Sequence, residues 1–234
     1  MKRRLLAGIA LAAAGALALA GCSNGGGDTS ADSGDAADSG TSYKIGISQL
    51  VQHPALDAAT EGFQQALEDA GLDVSFDVQN ANGEQATAVT IAQSFASQDL
   101  DLVLAVATPA AQAVAQAITE TPVLFTAVTD AVSAELVDSN EAPGGNVTGT
   151  SDAAPIGDQL DLLKELVPDA KKVGIVYASG EVNSQVQVEA AEEAAPERGL
   201  EIVSKSITSS NDIQQATEAL GDVDAIYVPT DNMV

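Results

Sequence analysis

The chain has one cysteine (Cys22), one histidine (His53), no tryptophan, and nine basic residues against 34 acidic ones. Each shortage removes a class of explanation. A single cysteine cannot build a disulfide framework, so the fold must rest on its apolar core. A single histidine excludes a multi-histidine metal site. A formal charge of −25 makes the chain a poor partner for nucleic acid or anionic lipid headgroups, whose phosphates would repel it. Three tyrosines and four phenylalanines leave few rings for stacking on sugars or bases. A Gly-x-Ser-x-Gly nucleophile elbow is missing, and Gln49-Leu50-Val51-Gln52-His53-Pro54 does not have the composition of a phosphate-binding glycine loop. No cofactor and no metal are expected. What remains is 45% hydrophobic content, mostly alanine, valine, leucine and isoleucine, in a length that suits two small domains or one larger one.

The amino terminus carries its own signal. Lys2, Arg3 and Arg4 precede an uncharged apolar run from Leu5 to Ala20, which is followed by Gly21 and Cys22. A basic start, a short apolar core and small residues before a cut site mark an export signal over 1–21. Leu19-Ala20-Gly21-Cys22 resembles the bacterial lipoprotein box, which implies lipidation of Cys22 and cleavage before it. The alternative is a retained anchor, but the run is shorter than the ~20 residues a spanning helix needs. Cleavage would remove three basic residues and no acidic one, taking the charge to −28. Residues 22–42 are poor in large apolar groups and predict a flexible acidic tether.

From Tyr43 onward, short apolar runs alternate with helical periodicity. Strands are predicted at Tyr43 to Ser48, Leu72 to Val78, Leu102 to Ala107 and Val123 to Ala127. Leu56, Ala59, Phe63, Ala66, Leu67 and Ala70 give a one-faced helix closed by Gly71, and a second helix over about Gly83 to Gln98 is expected to bury Val89, Ala92 and Phe95. Thr108-Pro109 predicts a third helix, with threonine as its N-cap. Such alternation means an α/β fold with parallel sheets. The pattern then restarts. Lys44-Ile45-Gly46-Ile47 is echoed by Lys172-Val173-Gly174-Ile175 and Gly71-Leu72 by Gly199-Leu200, both at an offset of 128 residues. Asp99-Leu100-Asp101 is matched by Asp222-Val223-Asp224. Two Rossmann-like lobes are therefore expected, over 43–150 and 151–234, with the first crossing between them at Pro143 to Asp152. Pro196 should kink or end the helix that runs from Val182.

In open parallel sheets, ligands bind beyond the carboxyl ends of the strands. The polar residues there are Gln49 and His53, then Thr108, then Thr129 and Asp130; in the second lobe they are Glu181, Asn183 and Ser184, then Thr230, Asp231 and Asn232. The helix start at Thr108 offers N–H groups to a carboxylate. Asp231 is the first choice, and Asp130 the second, for the opposite charge facing an amine. For either aspartate taken singly, capping or turn duty is the plainer role, and for Thr108 a plain N-cap is an equal alternative.

Gln49 with His53-Pro54-Ala55-Leu56-Asp57, Ala107-Thr108-Pro109-Ala110, Phe125-Thr126-Ala127-Val128-Thr129-Asp130, Pro143 to Gly149, Tyr177 to Ser184 and Pro229-Thr230-Asp231-Asn232 occur in register. Together they resemble the ABC-transporter substrate-binding lipoproteins of the tryptophan/tyrosine-type group, over Tyr43 to Val234. The resemblance implies a type I periplasmic-binding-protein fold closing over an amino acid or related small molecule. It further implies a lipid-anchored monomer at the extracytoplasmic membrane face, delivering its ligand to an ABC permease, and not an enzyme. Ala178-Ser179-Gly180 before Glu181 departs from the group's usual asparagine-serine. Relatives continue through further helices and strands, so the chain is expected to be incomplete at its carboxyl end. The rivals are a sugar or nucleoside receptor, a sensory lipoprotein, and a surface hydrolase, which lacks a visible nucleophile–base pair.

Overall fold

The computed structural model describes residues 42–234. The predicted signal segment and Cys22 lie outside them, as does the tether up to residue 41. A five-stranded parallel sheet comes first, in the order β2-β1-β3-β4-β5. It is built from β1 (Ser42–Gln49), β2 (Asp73–Asn80), β3 (Leu102–Val106), β4 (Val123–Val128) and β5 (Val147–Ser151), connected through α1 (Pro54–Asp69), α2 (Gln85–Ala96) and α3 (Thr108–Ala117). Successive side chains of its central strands bury on opposite faces, as parallel strands covered on both sides must. Ile45, Ile47, Leu104 and Val106 pack with Phe63 and Leu67 of α1. Val103 and Ala105 pack instead with Ala92 and Phe95 of α2 and with Val114 of α3.

Two expectations for this half need correction. The buried stripe of α2 is Ala88, Ile91, Ala92 and Phe95, a three- and four-residue spacing that leaves Val89 on the next face, 42% exposed. Part of the expected crossing, Val147–Ser151, pairs with β4 as a fifth strand, so only residues 152–155 lead on to α4 (Ile156–Leu166).

The second sheet has the order β7-β6-β8, from β6 (Lys172–Ala178), β7 (Glu201–Ile207) and the two-residue β8 (Ala225–Ile226). Val173 and Ile175 pack against α4 and α5 (Val182–Ala194), while Val176 and Ile207 pack against α6 (Ile213–Glu218). As expected, α5 stops before Pro196, which opens a short 3₁₀ turn over Pro196–Arg198.

The sequence echo is a structural repeat. β2-β1-β3 and β7-β6-β8 share one strand order, with α1 matching α5 and α2 matching α6. Gly46 and Gly174 leave the same gap: an added Cβ would lie 2.9 Å from Leu100 Cδ1 in one and 2.7 Å from Leu220 Cδ1 in the other. Gly71 and Gly199 both take left-handed φ, 73° and 65°, after their helices. In each half, an aspartate entering the third strand holds the start of the first. Lys44 N donates to Asp101 Oδ2 at 2.8 Å, and Lys171 N and Lys172 N donate to Asp224 Oδ2 at 2.8 and 2.9 Å. These two backbone bonds keep the Asp224 carboxyl below its ordinary range.

Gly149 is the tightest point between β4 and β5, because a Cβ there would strike the backbone oxygen of Phe125 as well as its ring. The Gly149→Ala variant is expected to separate this pair and lose about 2–3 kcal/mol of stability. Denaturant midpoints check this; an unchanged midpoint would show that β5 is dispensable.

Candidate functional site

The carboxyl ends of both sheets border one cleft of about 600 Å3. One wall comes from the turn after β1, including Val51, His53 and Leu56, with Thr126 and Ala127 of β4. Asp152 stands where the chain leaves β5, and residues 229–234 form the opposite wall. Two non-glycine residues at adjoining strand ends hold positive φ: Ala107 at 82° and Ala127 at 55°. Ala107 N also donates to Thr126 O at 3.0 Å. Backbone strain of this kind persists only where the surroundings fix it; Ala127 lies on the cleft lining, and Ala107 is buried behind it in the core.

Of the nine expected binding residues, His53, Asp231 and Asn232 line the cleft, together with Thr230. His53 caps α1: its Nδ1 accepts from Ala55 N at 3.2 Å, which leaves Nε2 as the protonated nitrogen of the neutral ring. The other six are placed elsewhere. Gln49 is buried and ties the β1 turn to α1, donating to Val51 O at 2.9 Å and Asp57 Oδ1 at 2.7 Å while accepting from Thr60 Oγ1 at 2.7 Å. Thr108 is the first residue of α3 and not its N-cap, which is Ala107. Its Oγ1 is buried without a partner among the described residues, as is Thr129 Oγ1. Asp130 turns back on its own loop, accepting from Val132 N, Ser133 N and Ser133 Oγ at 2.9–3.0 Å.

Asn183 and Ser184 belong to a buried polar network at the start of α5 that fixes the wall opposite. Asn183 Nδ2 donates to Thr230 O at 3.0 Å. Gln187 clasps the same residue, donating to its O at 3.0 Å and accepting from its N at 2.9 Å. The Asp231 carboxylate is occupied on both oxygens. Oδ2 takes Ala178 N at 2.7 Å and Ser184 Oγ at 2.6 Å, while Oδ1 takes Met233 N at 2.8 Å and Val234 N at 2.9 Å. The aspartates expected to face an amine are therefore both engaged by their own chain.

Glu181 anchors the same wall. Its Oε2 accepts from Asn232 Nδ2 at 2.6 Å, from Asn232 N at 3.2 Å and from Asn183 Nδ2 at 3.0 Å. Burial raises its pKa above the ordinary 4.5, and the neighbouring Asp231 charge adds to that, against the lowering effect of the hydrogen bonds. Among the described residues, no group of three or more His, Cys, Asp or Glu side chains is placed to hold a metal ion. Gln187 and Asp152 escaped sequence reasoning. Gln187 lies mid-helix, away from any strand end, and Asp152 was hidden inside the expected crossing. Reading Val147 to Ser151 as a β-branched strand would have placed Asp152 at a carboxyl end.

A family model described as ABC transporter substrate binding protein matches residues 44–234. A curated relative named Tyrosine-binding protein, from Clostridioides difficile (strain R20291), is 47% identical over 195 residues, which are 81% of this chain and 56% of the relative. The chain thus spans little more than half of that relative's length. Among solved structures, an ABC domain in complex with L-Trp from Streptococcus pneumoniae is 39% identical with a TM-score of 0.80, covering 82% of this chain and 67% of that one. The ligand-free, open structure of a substrate binding protein with adhesive properties from Clostridium difficile is 48% identical with a TM-score of 0.60, at the same coverage.

Two substitutions probe the second wall. Asp231→Asn removes one acceptor oxygen and turns an NH₂ toward existing donors, so a loss of about 2 kcal/mol or more is expected in denaturant unfolding. Glu181→Gln should behave in the opposite sense. With its folded pKa raised, Glu181 contributes stability that is present below pH 4.5 and lost as pH rises through the folded value. The amide variant should therefore equal or exceed the parent in thermal stability at pH 7, with the gap closing as pH falls toward 4.5. A gap that widens in acid would reverse the assignment.

Proposed function

The chain belongs to the ABC transporter substrate-binding protein family and has the type I periplasmic-binding-protein fold, and from this we propose that it captures an amino acid, aromatic by preference, between lobes spanning about 43–150 and 151–234. The observation that carries this reading is the cleft itself, whose walls come from the carboxyl ends of both sheets. A ligand held there touches both lobes only when they approach, so binding favours the closed arrangement. Direct ties between the lobes are few. Gln85 Nε2 donates to Gly180 O at 3.0 Å, and Val182 packs against the first lobe's core. The Trp-bound relative, at lower identity, matches this chain better in shape than the open, ligand-free one, which supports a ligand-bound-like disposition of the lobes.

The lining suits the ligand class. Val51, Leu56 and Met233 offer apolar and sulfur contacts to an aromatic side chain. No phenylalanine, tyrosine or tryptophan ring lines the cleft among the described residues, which disfavours a sugar or nucleoside that binds by stacking. The His53 Nε2–H and the Thr126 hydroxyl are donors toward a carboxylate; Thr126 Oγ1 accepts from Thr150 Oγ1 at 3.1 Å and so keeps its own hydrogen free. The protein works as a monomer at the extracytoplasmic face and hands its ligand to a membrane permease, and Cys22 carries the lipid that holds it there.

Titration calorimetry of the full chain against tyrosine, tryptophan, leucine, glucose and uridine is expected to give saturable binding for the aromatic amino acids. Binding of the sugar or nucleoside alone would replace this reading with a receptor of that class. For the anchor, Cys22→Ser should release the protein from the membrane fraction, since stable anchoring needs the acyl chains. A variant that is processed normally and stays membrane-bound would remove lipidation from the account.

A further inference from the structure

We propose that Gln85 and Val182 latch the two lobes together and so set the affinity for every ligand while touching none of them. The inference rests on reading the protein as two lobes that close over a ligand. The strand order β2-β1-β3-β4-β5 puts β5 at one edge of the first sheet and β2 at the other. Among the described residues the chain passes between the lobes once, beyond β5, through residues 152–155. Gln85 opens α2 beyond the end of β2, toward the far edge. Four strand spacings, about 19 Å, separate those edges. A contact so far from the passage about which the lobes turn is the first to break. An opening of about 10° there moves it by ~3 Å, as much as the length of a hydrogen bond.

The latch has a polar and an apolar part. Gln85 Nε2 donates to Gly180 O at 3.0 Å, and a carbonyl oxygen only accepts, so the bond also fixes which way the amide faces. Val182, the first residue of α5, packs against the core of the first lobe. Both partners of the hydrogen bond are held from behind. Gly83 N donates to Leu50 O at 2.8 Å, and Thr87 N and Ala88 N donate to Glu84 O at 3.0 Å, which pins the start of α2. Gln185 Nε2 donates to Ser179 O at 2.6 Å and Glu181 N to Ala178 O at 3.2 Å, which pins the turn carrying Gly180. Each partner therefore moves with its own lobe. Around the bond, residues 83–86 and 178–181 face each other across a cavity of about 330 Å3. None of Gln85, Gly180 and Val182 lines the ligand cleft. A contact made only on closure raises the closed fraction. The apparent dissociation constant falls as that fraction rises, by the same factor for any ligand that needs closure.

Calorimetry and stopped-flow binding of L-tyrosine and L-tryptophan to the full chain test this. Gln85→Ala and Val182→Ala are each expected to weaken binding about two- to fivefold. The factor should be the same for both amino acids and should fall on the dissociation rate, not the association rate. Gln85→Lys keeps a donor of similar reach and should retain most of the parent's affinity. Thermal unfolding of ligand-free Gln85→Ala should stay near the parent, since the residue is exposed and its side chain makes no other hydrogen bond among the described residues. Unchanged affinity in Gln85→Ala overturns the proposal. So does a shift in the ratio of tyrosine to tryptophan affinity, which would make the residue a ligand contact. If neither amino acid binds, the amino-acid reading falls, and the ligand-free chain decides the latch: a larger radius of gyration by X-ray scattering in Gln85→Ala than in the parent sustains it, and equal radii overturn it.

Discussion

The wall that the second lobe gives to the cleft is held by side chains from the N-cap and first half of one helix. β8 has only two residues, too few to direct the chain that follows. Residues 229–234 take their place because Asn183, Ser184 and Gln187 on α5, with Glu181 just before it, reach across to Thr230, Asp231 and Asn232. Each of those helix residues is at least nine-tenths buried. Buried polar groups of this kind are safe only when they are paired, and a partly broken network costs more than an apolar one. The geometry of the cleft, its shape on one side and the charge it leaves available on the other, follows from this set of bonds.

The same network explains which parts of the site were legible in the sequence. That α5 begins near Val182 and stops before Pro196 could be read from spacing and proline chemistry. That Asn183 and Ser184 matter could be read from their position after a strand. What they bond to could not, because their partners lie about 47 residues further along the chain. A polar residue at a strand end has two ordinary uses, holding a loop or meeting a ligand, and composition does not separate them. Gln49 and Asp130 both hold chain in the fold: Gln49 is buried and ties the β1 turn to α1, and Asp130 accepts from its own loop.

The fold was more transparent. Continuous apolar runs at β1, β3 and β6 mark strands buried on both faces, and the echo at 128 residues marks a repeated unit whose strand order proved identical. One element that escaped was β5, Val-Thr-Gly-Thr-Ser, whose burial is confined to Val147. An edge strand with one apolar residue carries no periodic signal, and Gly149 reads as a turn when it is in fact a spacer demanded by Phe125.

The two aspartate clamps, Asp101 on Lys44 and Asp224 on Lys171 and Lys172, both sit at the amino ends of their strands, across the sheet from the cleft. Each half of the protein therefore has a foundation end and a working end, about a strand's length apart. Substitution at the foundation end bears on how each sheet is held, while substitution at the other end bears on the shape and charge of the cleft. Because the clamp is duplicated and the cleft lining is not, a substitution in the lining leaves both clamps in place.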